Sequence, residues 1–81
     1  MNDEEILKER AKSYGTPKSS FTRIARLWSI YLDHNIQPYQ VANMMSLLKI
    51  SRTITAKGDT LIDSYQDGRN YLTLAEELHE I

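Results

Sequence analysis

The stretch "QVANMMSLLKISR", Gln40 to Arg52, narrows the available folds more than any other part of the chain. At helical spacing Val41, Met44, Met45 and Leu48 form one stripe, while Leu47 and Ile50 point elsewhere. A helix that is apolar nearly all round is buried nearly all round. The chain has only 81 residues, and a domain near this size buries roughly 60 to 65 % of its unfolded surface. Some of this helix is therefore expected to meet a second copy, because oligomerisation completes a core that one short chain cannot.

The flanking segments read as helices too. "NDEEILKERAKSY" starts at Asn2 as N-cap with Glu5 at the capping-box position, and Lys12 lies near its end. Gly15 and Pro17 break it, since glycine takes positive φ cheaply and proline disfavours a helical predecessor. "SSFTRIARLWSIYLDHN" follows, with a serine N-cap and an apolar stripe of Phe21, Ile24, Ala25, Trp28, Tyr31 and Leu32. Trp28 at the centre of that stripe is expected as a core anchor, with stacking on a bound base as the lesser reading. Pro38 suits the first position of the third helix. Gly58 ends the next connection, and Asp59 or Thr60 caps a fourth helix whose stripe runs Leu61, Tyr65, Gly68, Leu72 and Ala75. Gly68 on a packing face predicts close approach of another helix. With no strand-like alternation, repeat or linker, residues 1–81 read as a single all-α domain, a compact bundle of about four helices completed by oligomerisation.

Composition excludes several classes of function. Cysteine is absent, which removes disulfides, thiolate zinc sites and cysteine nucleophiles together. No apolar run approaches the roughly 18 to 20 residues that span a bilayer, and "MNDEEILKER" is acidic where a leader would be basic. A cytoplasmic location without membrane contact is the expectation. The formal net charge of −1 argues against a duplex-DNA binder. Its distribution is uneven, however. Lys8 to Gly58 holds nine basic residues against Glu9 and Asp33, whereas Asp59 to Ile81 sets six acids against Arg69. Two readings follow: mutual attraction across the fold, or a site where both signs converge.

Asp59, Asp63 and Asp67 recur every four residues, so they stack on one helix face together with Asn70. Like charges at that spacing cost about 0.2–0.5 kcal/mol per pair unless neutralised. Lys49 and Arg52, three apart on the third helix, supply the countercharge. One reading makes the stripe a solvated face with ion pairs to Lys49 and Arg52. The other makes it a site, with Asp63 and Asp67 on Mg²⁺ and Lys49 and Arg52 on phosphate. His34 and His79 stand alone, His34 serving a helix dipole. No Gly-rich phosphate loop, G-x-S-x-G elbow or H-E-x-x-H occurs, and no serine has a general base nearby in sequence.

The ordered set "ERAKSYG", "F..IARLWSIYL", "VANMMSLLKISR" and "D...DSYQDGRNYLTLA" resembles a family of small phage-encoded helical proteins of unknown function. That family is similar in turn to the all-α nucleotide pyrophosphohydrolases of the MazG type, which hold Mg²⁺ with E-x-x-E and E-x-x-D motifs on facing helices. Here Asp63 and Asp67 match the second motif at a spacing of four instead of three, and "MMSLLKISR" carries cations where the first motif needs acids. The resemblance implies a homo-oligomer that binds a phosphorylated nucleotide, either a dNTP-like metabolite or a second messenger, sequestered as a counter-defence. Its ligand contacts would be Lys49, Arg52, Asp63 and Asp67, with Tyr14, Trp28 and Tyr71 stacking, and Mg²⁺ on the two aspartates. The alternatives are a protein-interaction inhibitor of a host enzyme and a divergent Mg²⁺-dependent pyrophosphohydrolase.

Overall fold

A computed structural model of the chain describes residues 16–79. The described residues form three helices and no strand: α1 (Pro17–Leu32), α2 (Pro38–Arg52) and α3 (Gly58–Leu78). These are the second, third and fourth of the expected helices. The first, at residues 2–14, lies outside the described residues, and so does Tyr14.

Both prolines open helices. Thr16 is the N-cap of α1, its Oγ1 accepting the Ser19 N–H at 3.1 Å, with Pro17 in the first turn. The helix thus starts ahead of the expected serine cap, because proline's fixed φ suits a first turn that needs no N–H from it. α2 begins at Pro38 as expected, and the Gln37 N–H donates to Gln40 Oε1 at 2.8 Å. Gly58, at φ 59°, makes the left-handed step that redirects the chain into α3. Lys57 therefore holds the N-cap position expected of Asp59 or Thr60, and Asp59 falls in the first turn, where its charge suits the helix dipole.

Asp33 ends α1 in the left-handed region, a conformation aspartate tolerates better than most residues. Ser29 then fixes the connection. Its hydroxyl lies 2.6 Å from the Ala25 carbonyl, and its oxygen accepts the Ile36 N–H at 2.8 Å. Ser29 is half-buried and ties α1 to the chain entering α2.

The centre of the fold is the α2–α3 pair, with α1 packed against it. Ser46 donates its hydroxyl proton to the Gly68 carbonyl across this pair at 2.9 Å, and both residues are buried. The close approach expected at Gly68 is present. α1 reaches α3 through Phe21, whose ring stacks on Tyr71 with centroids 6.2 Å apart.

The buried set is unusually small in volume. Ala25, Val41, Ala42 and Ala75 are the buried apolar residues among those described, joined by Ser46 and Ser64. Trp28, expected as the core anchor, is half-buried, and Tyr31 and Leu32 at the end of its stripe are exposed. α2 departs furthest from expectation: Met44, Leu47, Leu48 and Ile50 are all exposed in the single chain. The packing face of α3 differs as well. Leu61, Ser64, Gly68, Tyr71 and Ala75 turn inward, whereas Tyr65 and Leu72 are about half exposed. At about 100° per residue the face is rotated by roughly 40° from the expected stripe, of which Leu61, Gly68 and Ala75 still turn inward.

Candidate functional site

That rotation decides where the aspartates go. Turning Tyr71 and Ala75 inward carries Asp67 to the border of the α2–α3 contact and leaves Asp63 and Asp59 in solvent. Asp67 there meets Lys49, whose Nζ lies 3.0 Å from Oδ2. The Lys49 side chain is 16 % exposed and that of Asp67 46 %, so the pair is half shielded. The base of the Lys49 side chain packs beside Gly68, where an added Cβ would lie 3.7 Å from Lys49 Cβ.

Of the expected site residues, the structure thus brings Lys49 and Asp67 together as an ion pair. Arg52, one turn beyond Lys49, is exposed, and so is Asp63. Tyr71 is half-buried with its ring against Phe21, and Trp28 is half-buried on α1. Asp63 and Asp67 remain two carboxylates, with no group of three or more His, Cys, Asp or Glu residues among the described ones.

Two other features were not singled out by sequence reasoning. The first is a set of three adjoining clefts around Thr22. One, of about 460 Å³, is lined by Thr16, Lys18, Ser19, Thr22, Arg23 and Arg26. A second of similar volume continues from Lys18 and Thr22 to Gln37, Tyr39 and His79. A third leads from Thr22 and Arg26 past Ser29 to Ile36 and Pro38. His79, expected to stand alone, stacks on Tyr39 with ring centroids 3.8 Å apart and planes within 9°. The signal available in the sequence was the four-residue spacing of Lys18, Thr22 and Arg26, repeated by Ser19 and Arg23. The Tyr39–His79 contact is tertiary and had no local signature.

The second feature is a groove of about 180 Å³ between α2 and α3, lined by Ser46, Ile50, Ser64, Tyr65, Gly68, Arg69 and Leu72. Its serine hydroxyls are already bonded, Ser46 to the Gly68 carbonyl and Ser64 to the Thr60 carbonyl at 2.9 Å. The groove floor therefore offers small side chains with satisfied hydroxyls, between walls of Ile50, Tyr65 and Leu72. Such a surface accepts apolar groups and has little for a charged ligand.

Residues 2–79 match the model of a protein family described as a domain of unknown function, DUF6378. The chain is also 41 % identical over 73 residues to the "Gene 55 protein" of Mycobacterium phage D29. The match covers 89 % of this chain and 46 % of that protein, so the chain spans about half the length of its phage relative. No solved structure matches it. The chain belongs to the DUF6378 family.

Proposed function

We propose that this DUF6378 chain is a helical association module, which acts by holding protein against the α2–α3 face. The observation that carries the reading is the inversion of burial. Side chains buried within the fold are alanine, valine, serine and glycine, while Leu47, Ile50, Ile62, Tyr65 and Leu72 on or beside the groove are each half or more exposed. Burying one such large side chain is worth about 1.5–3 kcal/mol. Several of them around one groove mark an interaction surface better than they suit a solvated one.

The test is photocrosslinking in cells that make the full chain, with benzoylphenylalanine at Tyr65 or, as control, at exposed Lys57. The reading expects protein adducts from position 65 well above those from position 57. Equal or absent adducts refute it, because the groove then faces solvent or the chain itself.

A second reading, binding of a phosphorylated nucleotide with counter-defence sequestration as its purpose, is favoured by the clefts around Thr22. Lys18, Arg23 and Arg26 supply cations for phosphate beside the Tyr39–His79 stack. In this reading Lys49 and Asp67 contribute little, since they already neutralise each other, and Arg52 is a peripheral cation. Mg²⁺ on Asp63 and Asp67, and with it pyrophosphate hydrolysis, would have to displace Lys49 from Asp67. Melting curves with nucleoside triphosphates and cyclic dinucleotides, with Mg²⁺ present and chelated, test this reading. A ligand-induced rise that Lys18→Ala and Arg26→Ala abolish supports it; no rise with any nucleotide excludes it.

A further inference from the structure

We infer that the clefts around Thr22 take a dinucleotide, its two bases in separate arms and its phosphate link on Lys18, Arg23 and Arg26. This rests on the nucleotide reading and names the class of nucleotide.

The walls that the clefts share supply the geometry. The cation-lined cleft adjoins the second at Lys18 and Thr22, and the third at Thr22 and Arg26. Gln37 and Pro38 line the second and the third alike, so they form the divider between them. The space therefore has two arms, of about 460 and 450 Å³, which part at Pro38 and both open onto the cations of α1.

Each arm suits a flat, largely apolar group. Leu78 and the stacked rings of Tyr39 and His79 line one; Ala25, Ile30 and Ile36 line the other. A base is held through its face by walls of this kind, whichever base it is. A ligand with a single base fills one arm and leaves the other to water.

The charges indicate what joins two such groups. No carboxylate is found among the described residues that line the three clefts, while Lys18, Arg23 and Arg26 stand together in the first. Neutral donors at the junction are already engaged. The Thr22 hydroxyl donates to the Lys18 carbonyl at 2.7 Å, and the Gln37 side-chain amide donates to Asn35 Oδ1 at 3.1 Å. Recognition there falls to full positive charges, which phosphate oxygens match. A phosphodiester between two nucleosides sets its anion among these cations and sends one base into each arm.

The experiment is calorimetric titration of the full chain with AMP, GMP, the linear and cyclic dinucleotides of adenine and of guanine, and inorganic pyrophosphate. At least one dinucleotide is expected to bind about tenfold or more tightly than its mononucleotide, because the link makes the second contact intramolecular. Linear and cyclic forms carry the same chemistry, and the titration shows which of the two is the source. The variants Lys18→Ala, Arg26→Ala, Ile30→Glu and His79→Glu change exposed residues, and circular dichroism confirms that each is folded. The first two remove phosphate contacts and the last two place an acid at one arm each. Every one of the four should weaken the dinucleotide by about tenfold. A dinucleotide that binds no more tightly than its mononucleotide, or that responds to the variant of only one arm, overturns the inference and leaves the nucleotide reading standing. Pyrophosphate bound as tightly as any dinucleotide also overturns it, since the arms then contribute nothing. Binding of no nucleotide overturns the inference and the nucleotide reading together.

Discussion

Gly68→Ala probes the α2–α3 contact most directly, and its sign follows from the structure. A Cβ built at Gly68 would lie 3.7 Å from Lys49 Cβ, 3.8 Å from Ser46 Oγ and 3.9 Å from the Ser46 carbonyl. These are ordinary contact distances, so the methyl enters without moving α2. The backbone stays in the helical region, since Asp33 and Gly58 hold the positive φ values among the described residues. Replacing glycine by alanine in a helix interior gains about 1 kcal/mol, mainly by restricting the unfolded chain. The Ser46 bond ends on the Gly68 carbonyl and not on its Cα, so the substitution leaves it in place. The net expectation is stabilisation by about 1 kcal/mol, equivalent to roughly 4–8 °C in Tm for a domain this small. Urea denaturation at fixed protomer concentration is the assay, because any self-association makes the midpoint concentration-dependent. A fall of 1 kcal/mol or more would refute the reasoning, since it would mean that the helices approach too closely for a methyl. Gly68→Leu, by contrast, drives further carbons into Lys49 and Ser46 and should destabilise the fold.

Ser46→Ala removes the hydroxyl bond to Gly68 and should cost about 0.5–1.5 kcal/mol in urea denaturation; no change would show that the bond has no net value. Asp67→Asn should cost less than about 1 kcal/mol, given that the Asp67 side chain is nearly half exposed, whereas Asp63→Asn should leave stability unchanged. A larger effect at position 63 than at 67 would contradict the pairing with Lys49. Trp28→Ala should cost well under the about 3–5 kcal/mol of a fully buried tryptophan, because Trp28 is half-buried; thermal unfolding checks it, and a full-sized loss would place the ring in a core.

The parts of this fold that were legible in the sequence are those set by local chemistry. Pro38 opening α2 follows from a fixed φ, Gly58 at the turn into α3 from a positive one, and the close approach at Gly68 from a missing side chain. The helices themselves follow from three-and-four spacing. What the spacing did not specify was which side of each helix faces inward. On α3, Leu61, Gly68 and Ala75 of the expected stripe turn inward, but Ser64 and Tyr71 take the places of the more exposed Tyr65 and Leu72. A stripe ranked by hydrophobicity identifies the side that leaves water most favourably, whereas the helix contact was settled by which residues let two backbones come together. The reading of Asp59, Asp63 and Asp67 as one stripe shared this origin. It treated three residues as equivalent, and the rotation of the packing face separated Asp67, which found Lys49, from the two left in water. The cleft around Thr22 was legible only as spacing on α1, because its other wall comes from Tyr39 and His79, forty residues apart in sequence and adjacent in space.

The close approach of α2 and α3 and the exposure of their large residues have one cause. With Ser46 bonded to the backbone of Gly68, the other buried residues of the two helices are small or medium in size, Val41, Ala42, Ser64 and Ala75. Large side chains on neighbouring positions are displaced to the flanks, where Ile50, Tyr65 and Leu72 line the groove and Leu47 and Ile62 extend its borders. The fold gains backbone proximity and a buried hydrogen bond, and it gives up roughly half of the about 1.5–3 kcal/mol that full burial of each such side chain would supply. Such an exchange leaves a single copy weakly stabilised, since net folding free energies are small differences between large terms. It becomes favourable when the displaced side chains are buried by another protein surface. Stability of the chain should therefore rise with protomer concentration if that surface is a second copy, and a urea midpoint that is the same over a hundredfold concentration range would show that the three helices stand without one.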